Sequence, residues 1–173
     1  WSRKITLTQV KTFQLRPFKA EDLDHVMKIN LTCLPENYSP FFYLELHEHY
    51  PRTFIVAEVD GQIVGYVMCR VESGFSELRR IEFAKKGHVV SIAVMPDYRK
   101  QGIAKTLMIE VMKEMKTYNA TECFLEVSVT NQPAINLYKK LGFQITRTIR
   151  AYYHDGEDAN EMRRKLPYNE TEN

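Results

Sequence analysis

The spacing of hydrophobic residues predicts alternating strands and helices in the first half of the chain. Residues 20–34 repeat hydrophobic side chains at the spacing of one helical face, and Pro35 ends this predicted helix. That face consists of Leu23, Val26, Met27 and Leu31. A hairpin is predicted at 53–72, because two β-rich runs are joined through Asp60 and Gly61, a strong turn signal. The other elements predicted here are a strand at 12–18, a helix at 40–50 and a polar loop at 73–86.

The second half of the chain has the pattern of a strand–helix–strand unit. HVVSIAV at 88–94 is almost wholly apolar, as expected of a strand covered on both faces. A helix from 103 to about 116 separates it from CFLEVSV at 123–129, and this length suits a crossover between parallel strands. A helix at 132–143 and strands at 143–149 and 160–166 complete the pattern. The predicted fold is therefore α/β, a mixed sheet flanked by helices.

Length and charge narrow the classes of protein. A chain of 173 residues fits one domain, predicted at 12–166 between an N-terminal extension at 1–11 and a flexible tail at 167–173. The net charge of +2 gives no polyanion footprint, so no nucleic acid is expected as a partner. No apolar run reaches the roughly 18 residues of a membrane span, and the start at Trp1 has no secretion-signal pattern. We therefore expect a cytoplasmic protein without a membrane partner.

Three cysteines carry no metal-site spacing. They are Cys33, Cys69 and Cys123, and two of them fall within strand-like runs. We expect small buried side chains in a reducing compartment, not disulfides or metal ligands.

The stretch YRKQGIAKTL at 98–107 places basic residues and a glycine at the start of a helix. The first N–H groups of a helix have no intrahelical partner and the helix dipole makes that end positive, so a pyrophosphate can bind there. The stretch lacks the second glycine of a nucleoside-triphosphate loop and the three glycines of a dinucleotide fingerprint. By itself it is equally compatible with a simple turn.

This stretch resembles the phosphate loop of the GNAT superfamily of acetyl-CoA-dependent N-acetyltransferases. The superfamily pattern Arg/Gln-x-x-Gly-x-Gly/Ala is met by Arg99, Gly102 and Ala104. Further along, NQPAINLYKKLGF is similar to the superfamily motif Asn-x-x-Ala-x-x-Leu-Tyr-x-x-x-Gly-Phe. The residues that match it are Asn131, Ala134, Leu137, Tyr138, Gly142 and Phe143.

The resemblance implies the GNAT acyl-CoA N-acyltransferase fold, with acetyl-CoA as cosubstrate. It implies that backbone groups of Ile92, Ala93 and Val94 pair with the pantetheine arm. Tyr138 is expected near the CoA sulfur, where it can protonate the leaving thiolate. The other residues expected to bind the cofactor are Arg99, Lys100, Gln101, Gly102, Ile103, Ala104, Lys105 and Asn131.

Three more stretches resemble the NatA-type N-terminal acetyltransferases and their archaeal relatives, which stand near the ribosomal-protein alanine acetyltransferases. They are LPENY at 34–38, GHVVSIAV at 87–94 and YYHDGEDA at 152–159. Adjacent aromatic residues in polar loops more often pack than bind, but in this family two such loops hold the peptide N-terminus. The implied substrate-binding residues are Leu34, Pro35, Glu36, Tyr38, Tyr152 and Tyr153.

His88 and Glu126 are the candidates for removing the proton of the attacking amine. Glu126 lies within FLEVSV, where a carboxylate is costly unless it has a partner, and alternation places it on the face opposite Leu125 and Val127. The residues alone leave open a solvated glutamate and a satisfied histidine at a strand start. The resemblance implies that the pair orders a water molecule for proton removal. The same pair could hold zinc, although zinc sites usually have three or four protein ligands, and we do not expect a metal to be required.

The predicted function is acetyl transfer from acetyl-CoA to the N-terminal α-amino group of proteins. The alternatives are a GNAT enzyme for lysine side chains or small amines, and a catalytically silent acetyl-CoA-binding module. Two tyrosine loops favour protein N-termini, because a small amine has no need of them. Nascent or mature protein N-termini are thus the expected partners, and the sequence leaves association with the ribosome or an auxiliary subunit open.

Overall fold

The computed structural model describes residues 12–78 and 82–172, which contain one seven-stranded sheet in the order β1-β2-β3-β4-β5-β7-β6. Its strands are β1 (Gln14–Pro17), β2 (Phe54–Val59), β3 (Gln62–Phe75), β4 (Phe83–Val94), β5 (Glu122–Ser128), β6 (Gln144–Ile149) and β7 (Ala159–Lys165). The helices are α1 (Leu23–Cys33), α2 (Pro40–His49), α3 (Ile103–Glu114) and α4 (Gln132–Lys140). All neighbouring strands are antiparallel except β4 and β5. The predicted mixed sheet and its one parallel pair are therefore confirmed.

Helices cover both faces of the sheet and form two hydrophobic cores. α1 and α2 pack on one face, around the buried side chains of Phe54 and Tyr66. α3 and α4 pack on the other face, around Leu107 and Leu125. β2 is buried along almost its whole length, as expected of a strand between two helical layers.

β4 and β5 are hydrogen-bonded over a short stretch and then separate. The paired residues are Lys86 with Glu122, Gly87 with Cys123 and His88 with Phe124. Past His88, β4 stays paired with β3 up to Val94, whereas no strand in the described part of the chain pairs with its edge facing β5. β5 pairs instead with β7 as far as Ser128. The sheet therefore opens into a cleft between 89–94 and the second half of β5.

A β-bulge in β4 decides which side chains share a face. Consecutive residues of β3 pair with Ser91 and Val89, so Val90 is an extra residue in the ladder. Val89 belongs to the core under α3, whereas Val90 packs towards the core under α1 and α2. Ser91 also faces that second core, because its Oγ is 2.6 Å from the hydroxyl of Tyr66. As a result His88, next to Val89, lies on the same face as Ser91.

Two local predictions are wrong. The predicted loop at 73–86 is largely strand, because β3 extends to Phe75 and β4 begins at Phe83, so that His88 lies within β4 and not at its start. The lysines and glutamates of this exposed hairpin hide the alternation that marks a strand. Leu31 is 63% exposed and does not belong to the buried face of α1. That face includes Asn30, which is buried because its Nδ2 donates to the hydroxyl of Tyr66 at 3.1 Å.

The ends of the chain and the cysteines complete the comparison with the sequence. The predicted extension at 1–11 lies outside the described residues, and the domain bounds stay a prediction. Tyr168, within the predicted tail, is buried, and the guanidinium of Arg164 lies 4.9 Å from its ring centroid. Cys69 and Cys123 are buried and Cys33 is partly buried. Among the helices of 12–78 and 82–172, none has the length and apolar character to cross a bilayer.

Candidate active site

His88 and Glu126 meet where β4 and β5 begin to separate. The Nε2 atom of His88 lies 2.7 Å from Oε2 of Glu126, a hydrogen-bond distance. Both side chains are largely buried, with 9% and 14% of their surfaces exposed. Glu126 lies on the face of β5 opposite the buried Leu125 and Val127, as alternation predicted. The pair expected from the sequence is therefore brought together, at the inner end of the cleft.

The imidazole of His88 is fixed by stacking as well as by hydrogen bonding. It lies parallel to the ring of Phe124, with 4.3 Å between centroids and 1° between planes. The guanidinium carbon of Arg163 lies 4.2 Å from the centroid of the same phenyl ring. These three residues are register partners across β4, β5 and β7, so Phe124 lies between the two cationic side chains.

A second carboxylate faces the other nitrogen of His88. Oε1 of Glu72, on β3, lies 3.6 Å from Nδ1, and Arg70 donates to that oxygen at 3.1 Å. Burial favours the neutral imidazole, but the interactions with Glu126 and Glu72 outweigh it, so the pKa of His88 is raised above its ordinary value. The bond with His88 outweighs burial at Glu72 too, so the pKa of that carboxyl is lowered. The site thus holds its imidazole between two carboxylates.

The first turn of α3 has the features of an anion-binding helix start. The first intrahelical bond joins the N–H of Thr106 to the carbonyl of Gly102, so the N–H groups before it have no helical acceptor. Gly102 has φ +83°, a conformation that L side chains rarely adopt, and a Cβ added there would meet open space. Lys100 also has a positive φ of 62°. The predicted loop residues Gln101, Ile103, Ala104 and Lys105 belong to this turn and to the first turn of the helix.

The predicted pantetheine-binding strand lies on the edge of β4 that borders the cleft. Ile92, Ala93 and Val94 continue the part of β4 that pairs with β3 but not with β5. Arg99 does not project freely into the cleft, because its Nε donates to the carbonyl of Val94 at 2.9 Å. This bond ties the phosphate loop to the end of the strand.

Two residues of the later motif have clear packing roles. Asn131 is the N-cap of α4, and its side-chain oxygen accepts from the N–H of Ala134 at 3.3 Å. Tyr138 is 7% exposed, its ring centroid is 6.0 Å from that of Phe143, and burial raises the pKa of its hydroxyl to about 12. A phenol with this pKa remains protonated at neutral pH and can serve as a proton donor.

The loop between α1 and α2 brings Glu36 and Tyr38 beside the catalytic pair. The hydroxyl of Tyr38 donates to the carbonyl of Val90 at 3.3 Å, which fastens the loop to the bulge of β4. Burial, followed by the negative charge of Glu126, raises the pKa of Glu36. Leu34 packs towards the core under α1 and α2, whereas Pro35 is exposed.

The turn between β6 and β7 carries the second pair of predicted substrate residues. Tyr153 is buried and Tyr152 is 43% exposed, and their rings pack edge to face with centroids 5.0 Å apart. Burial, followed by the charges of Glu126 and Glu36, raises the pKa of Tyr152 to about 12. Asp158 holds the turn closed, since its side chain accepts from the N–H of Ala151 at 2.8 Å. Both predicted loops therefore border Glu126.

Metal ligands and residues missed by the sequence concern the same cluster. Within the described ranges, no group of three or more His, Cys, Asp or Glu side chains is arranged to hold a metal ion. Glu72 and Arg163 were not recognised as part of the site. The period-two pattern of β3 places Glu72 on one face with Arg70, but its approach to His88 follows from the strand register, which the bulge at Val90 shifts.

The comparisons with known proteins agree with this geometry. The model of the acetyltransferase (GNAT) family matches residues 23–143. An N-alpha-acetyltransferase from Sulfurisphaera tokodaii is 52% identical over 151 residues, which are 86% of this chain and 90% of that protein. The NAA10 catalytic subunit of the N-terminal acetyltransferase A complex from Arabidopsis thaliana is 38% identical, with 88% and 77% of the chains covered. The crystal structure of Ard1 from Thermoplasma volcanium superposes with a TM-score of 0.78 at 30% identity, covering 90% of this chain and 98% of that one.

Proposed function

The chain belongs to the acetyltransferase (GNAT) family, and on that premise we propose how it transfers the acetyl group of acetyl-CoA to the N-terminal α-amino group of proteins. One observation carries the proposal: the buried hydrogen bond between His88 and Glu126 at the inner end of the cleft. Acetyl-CoA occupies the cleft between β4 and β5, and the peptide N-terminus approaches between the two tyrosine-bearing loops.

The first turn of α3 and the open edge of β4 hold the cofactor. Free N–H groups at the start of α3 suit the pyrophosphate, and Lys100 and Lys105 add positive charge beside it. Backbone groups of Ile92 and Ala93 suit the amides of the pantetheine arm, because that edge of β4 has no partner strand in the described part of the chain. A backbone N–H there also suits the thioester oxygen, which gains negative charge in the transition state.

The attacking amine must lose a proton before it reacts. An α-amino group has a pKa about 2.5 units below that of lysine, a difference of about 3.4 kcal/mol in the cost of deprotonation. The pair of His88 and Glu126 takes this proton through an ordered water molecule. Nitrogen then forms the bond to the acetyl carbon, the carbon–sulfur bond breaks, and Tyr138 protonates the thiolate. Each ammonium group acetylated releases one proton to solvent.

The two loops hold the peptide in place. Tyr38 and Tyr153 bind its backbone, and Glu36 lies beside its first side chain. A half-buried carboxylate there disfavours acidic first residues and limits the space for bulky ones. Glu36→Val should therefore keep acetyl-CoA affinity while Ser- and Ala-starting peptides lose their advantage over Met-starting ones in kcat/KM.

The experiment that tests the reaction uses peptides that differ at residue one, each also prepared with a blocked α-amine and a free lysine. Mass spectrometry should find the acetyl group on the α-amine and none on the lysine of blocked peptides. Glu126→Gln and His88→Gln should each lower kcat more than they raise KM, and the double variant should lose less than the product of the two. Full activity of Glu126→Gln would show that solvent takes the proton, and acetylation of lysine alone would favour the side-chain alternative.

The cofactor site has its own test. Gly102→Asp adds a side chain at φ +83° and a negative charge where phosphate binds, so acetyl-CoA affinity should fall at least tenfold, a change of about 1.4 kcal/mol or more. Isothermal titration with acetyl-CoA measures the affinity, and Gly61→Asp, in the β2–β3 turn at φ +77°, is the matched control. An affinity equal to that of the control would remove the phosphate from this turn.

Partners other than the substrate are proposed more coarsely. The Arabidopsis relative is the catalytic subunit of a complex, which supports an auxiliary subunit for this chain as well. Native purification from the source cells, followed by mass measurement of the assembly, tests this proposal. Contact with the ribosome and a cytoplasmic location stay predictions, and sedimentation with ribosomes tests the first.

A further inference from the structure

The reaction proposed above leaves Glu72 without a role, although its carboxylate faces the catalytic imidazole. Its Oε1 lies 3.6 Å from Nδ1 of His88, on the opposite side of the ring from Glu126. Nδ1 is buried and has no hydrogen-bond partner among the residues that the structure describes. A buried ring N–H without an acceptor is costly, so the approach of Glu72 calls for an explanation.

The position of one hydrogen decides whether the ring of His88 can accept a proton from the amine. A neutral imidazole has one N–H and one bare nitrogen. With the hydrogen on Nε2, the ring donates to Glu126, and its bare Nδ1 faces the negative charge of Glu72. With the hydrogen on Nδ1, the ring can donate to Glu72, and bare Nε2 faces Oε2 of Glu126 at 2.7 Å. A proton taken from the amine is then shared between these two acceptors.

We propose that Glu72 is a positioning residue, which binds the Nδ1–H of His88 and so selects the tautomer whose Nε2 receives the proton of the amine. This inference rests on the proposed acetyl transfer. In the step, an N–H bond of the substrate breaks and an N–H bond forms at Nε2, while Glu72 neither gains nor loses a proton. The present 3.6 Å is longer than a hydrogen bond, as is common for catalytic contacts before the reactive complex forms.

The surrounding charges leave Glu72 as the group that acts on Nδ1. Arg70 donates to the same Oε1 at 3.1 Å and thereby holds the carboxylate in place. Glu126 approaches Nε2, and Arg163 lies beyond the ring of Phe124. The charge of Glu36 acts on Glu126 from the α1–α2 loop.

The first experiment locates the hydrogen directly. Protein with 15N-labelled histidine and bound CoA is studied by NMR at about pH 9, where neutral rings predominate, and the signals of His88 are assigned by their loss in His88→Gln. We expect the hydrogen on Nδ1 in the natural protein and on Nε2 in Glu72→Leu. Glu72→Gln keeps an acceptor oxygen and should keep the Nδ1–H form. Glu110→Leu, on α3, removes a carboxylate elsewhere and should change nothing.

The second experiment measures turnover by the same variants. Glu72→Leu should lower kcat about tenfold while the KM values for peptide and acetyl-CoA stay within about twofold, and Glu72→Gln should recover most of the loss. An Nδ1–H signal that persists in Glu72→Leu overturns the inference, as does an Nε2–H signal in the natural protein. Full activity of Glu126→Gln would instead overturn the proposed proton acceptor, and the NMR result would still stand or fall by itself.

Discussion

Two buried cations flank Phe124, and similar surroundings give them different tasks. His88 on β4 stacks on this ring at 4.3 Å, and the guanidinium of Arg163 on β7 lies 4.2 Å from its centroid. Each cation also has two carboxylates within 4 Å. These are Glu126 at 2.7 Å and Glu72 at 3.6 Å for His88, and Glu161 at 3.0 Å and Glu122 at 3.8 Å for Arg163.

The difference lies in whether the cation can lose its proton. A guanidinium is always charged, and the side chains of Arg163, Glu161 and Glu122 are 3–5% exposed, so this cluster is a fixed part of the interior. An imidazole titrates near neutral pH, and its neighbour Glu72 is 37% exposed. The same arrangement of cation and carboxylates therefore stabilises structure around arginine and permits proton transfer around histidine, at the point where the sheet opens.

The largest expected effect comes from breaking the arginine cluster. Arg163→Leu leaves Glu122 buried without its cation, so the free energy of unfolding should fall by about 3 kcal/mol. Urea denaturation measures it, with Arg147→Leu as the control, because Arg147 also binds Glu161 but is 65% exposed and should cost less than about 1 kcal/mol. Equal losses in the two variants would contradict a structural role specific to Arg163.

Breaking the histidine cluster should affect rate instead of stability. His88→Gln removes the proton acceptor, so kcat should fall about 100-fold, whereas the free energy of unfolding should change by less than about 1 kcal/mol. Steady-state kinetics and urea denaturation of the same preparation measure both. A large stability loss with a small rate loss would assign His88 to the interior, like Arg163.

Removing the shared ring should weaken both clusters slightly. Phe124→Leu keeps a hydrophobic side chain but loses the stacked face, so we expect about 1 kcal/mol lower stability and about threefold lower kcat. The same two assays measure these changes. If only one quantity changes, the ring supports one cluster and not both.

The smallest effect is a pH dependence that distinguishes the two cations. The pKa of His88 is raised in the folded protein, so its stabilising contribution is complete below the ordinary value of 6.5 and is lost as pH rises through the folded value. The unfolding free energies of the natural protein and His88→Gln should therefore differ more at about pH 6 than at about pH 9. The difference between the natural protein and Arg163→Leu should stay constant over this range, because arginine does not titrate there.

Sequence reasoning predicted the elements that depend on local pattern. The apolar run of β4, the crossover through α3 and the Asp60–Gly61 turn follow from period and turn chemistry, and all are confirmed. The meeting of His88 and Glu126 was predicted by combining alternation with a family resemblance. The roles proposed for the individual site residues stay predictions.

Features that depend on strand register were not predicted. The approach of Glu72 to His88 and the row of His88, Phe124 and Arg163 arise only when β3, β4, β5 and β7 are aligned. No local pattern in the chain encodes that alignment. The extended hairpin at 73–86 was missed for a different reason, since solvent on both sides allows polar residues at every position.

The bulge at Val90 also limits how the length of this chain can vary among descendants. Six residues of β4 separate the imidazole from the strand end that borders the cofactor cleft, and the extra residue lies between them. Loss of Val90 would restore a regular ladder and turn the segment before it by half a period, so that His88 would point towards the core under α3. A codon deleted here would thus remove the catalytic base while leaving its codon intact, whereas a codon deleted from the 76–82 connection would leave the active face unchanged.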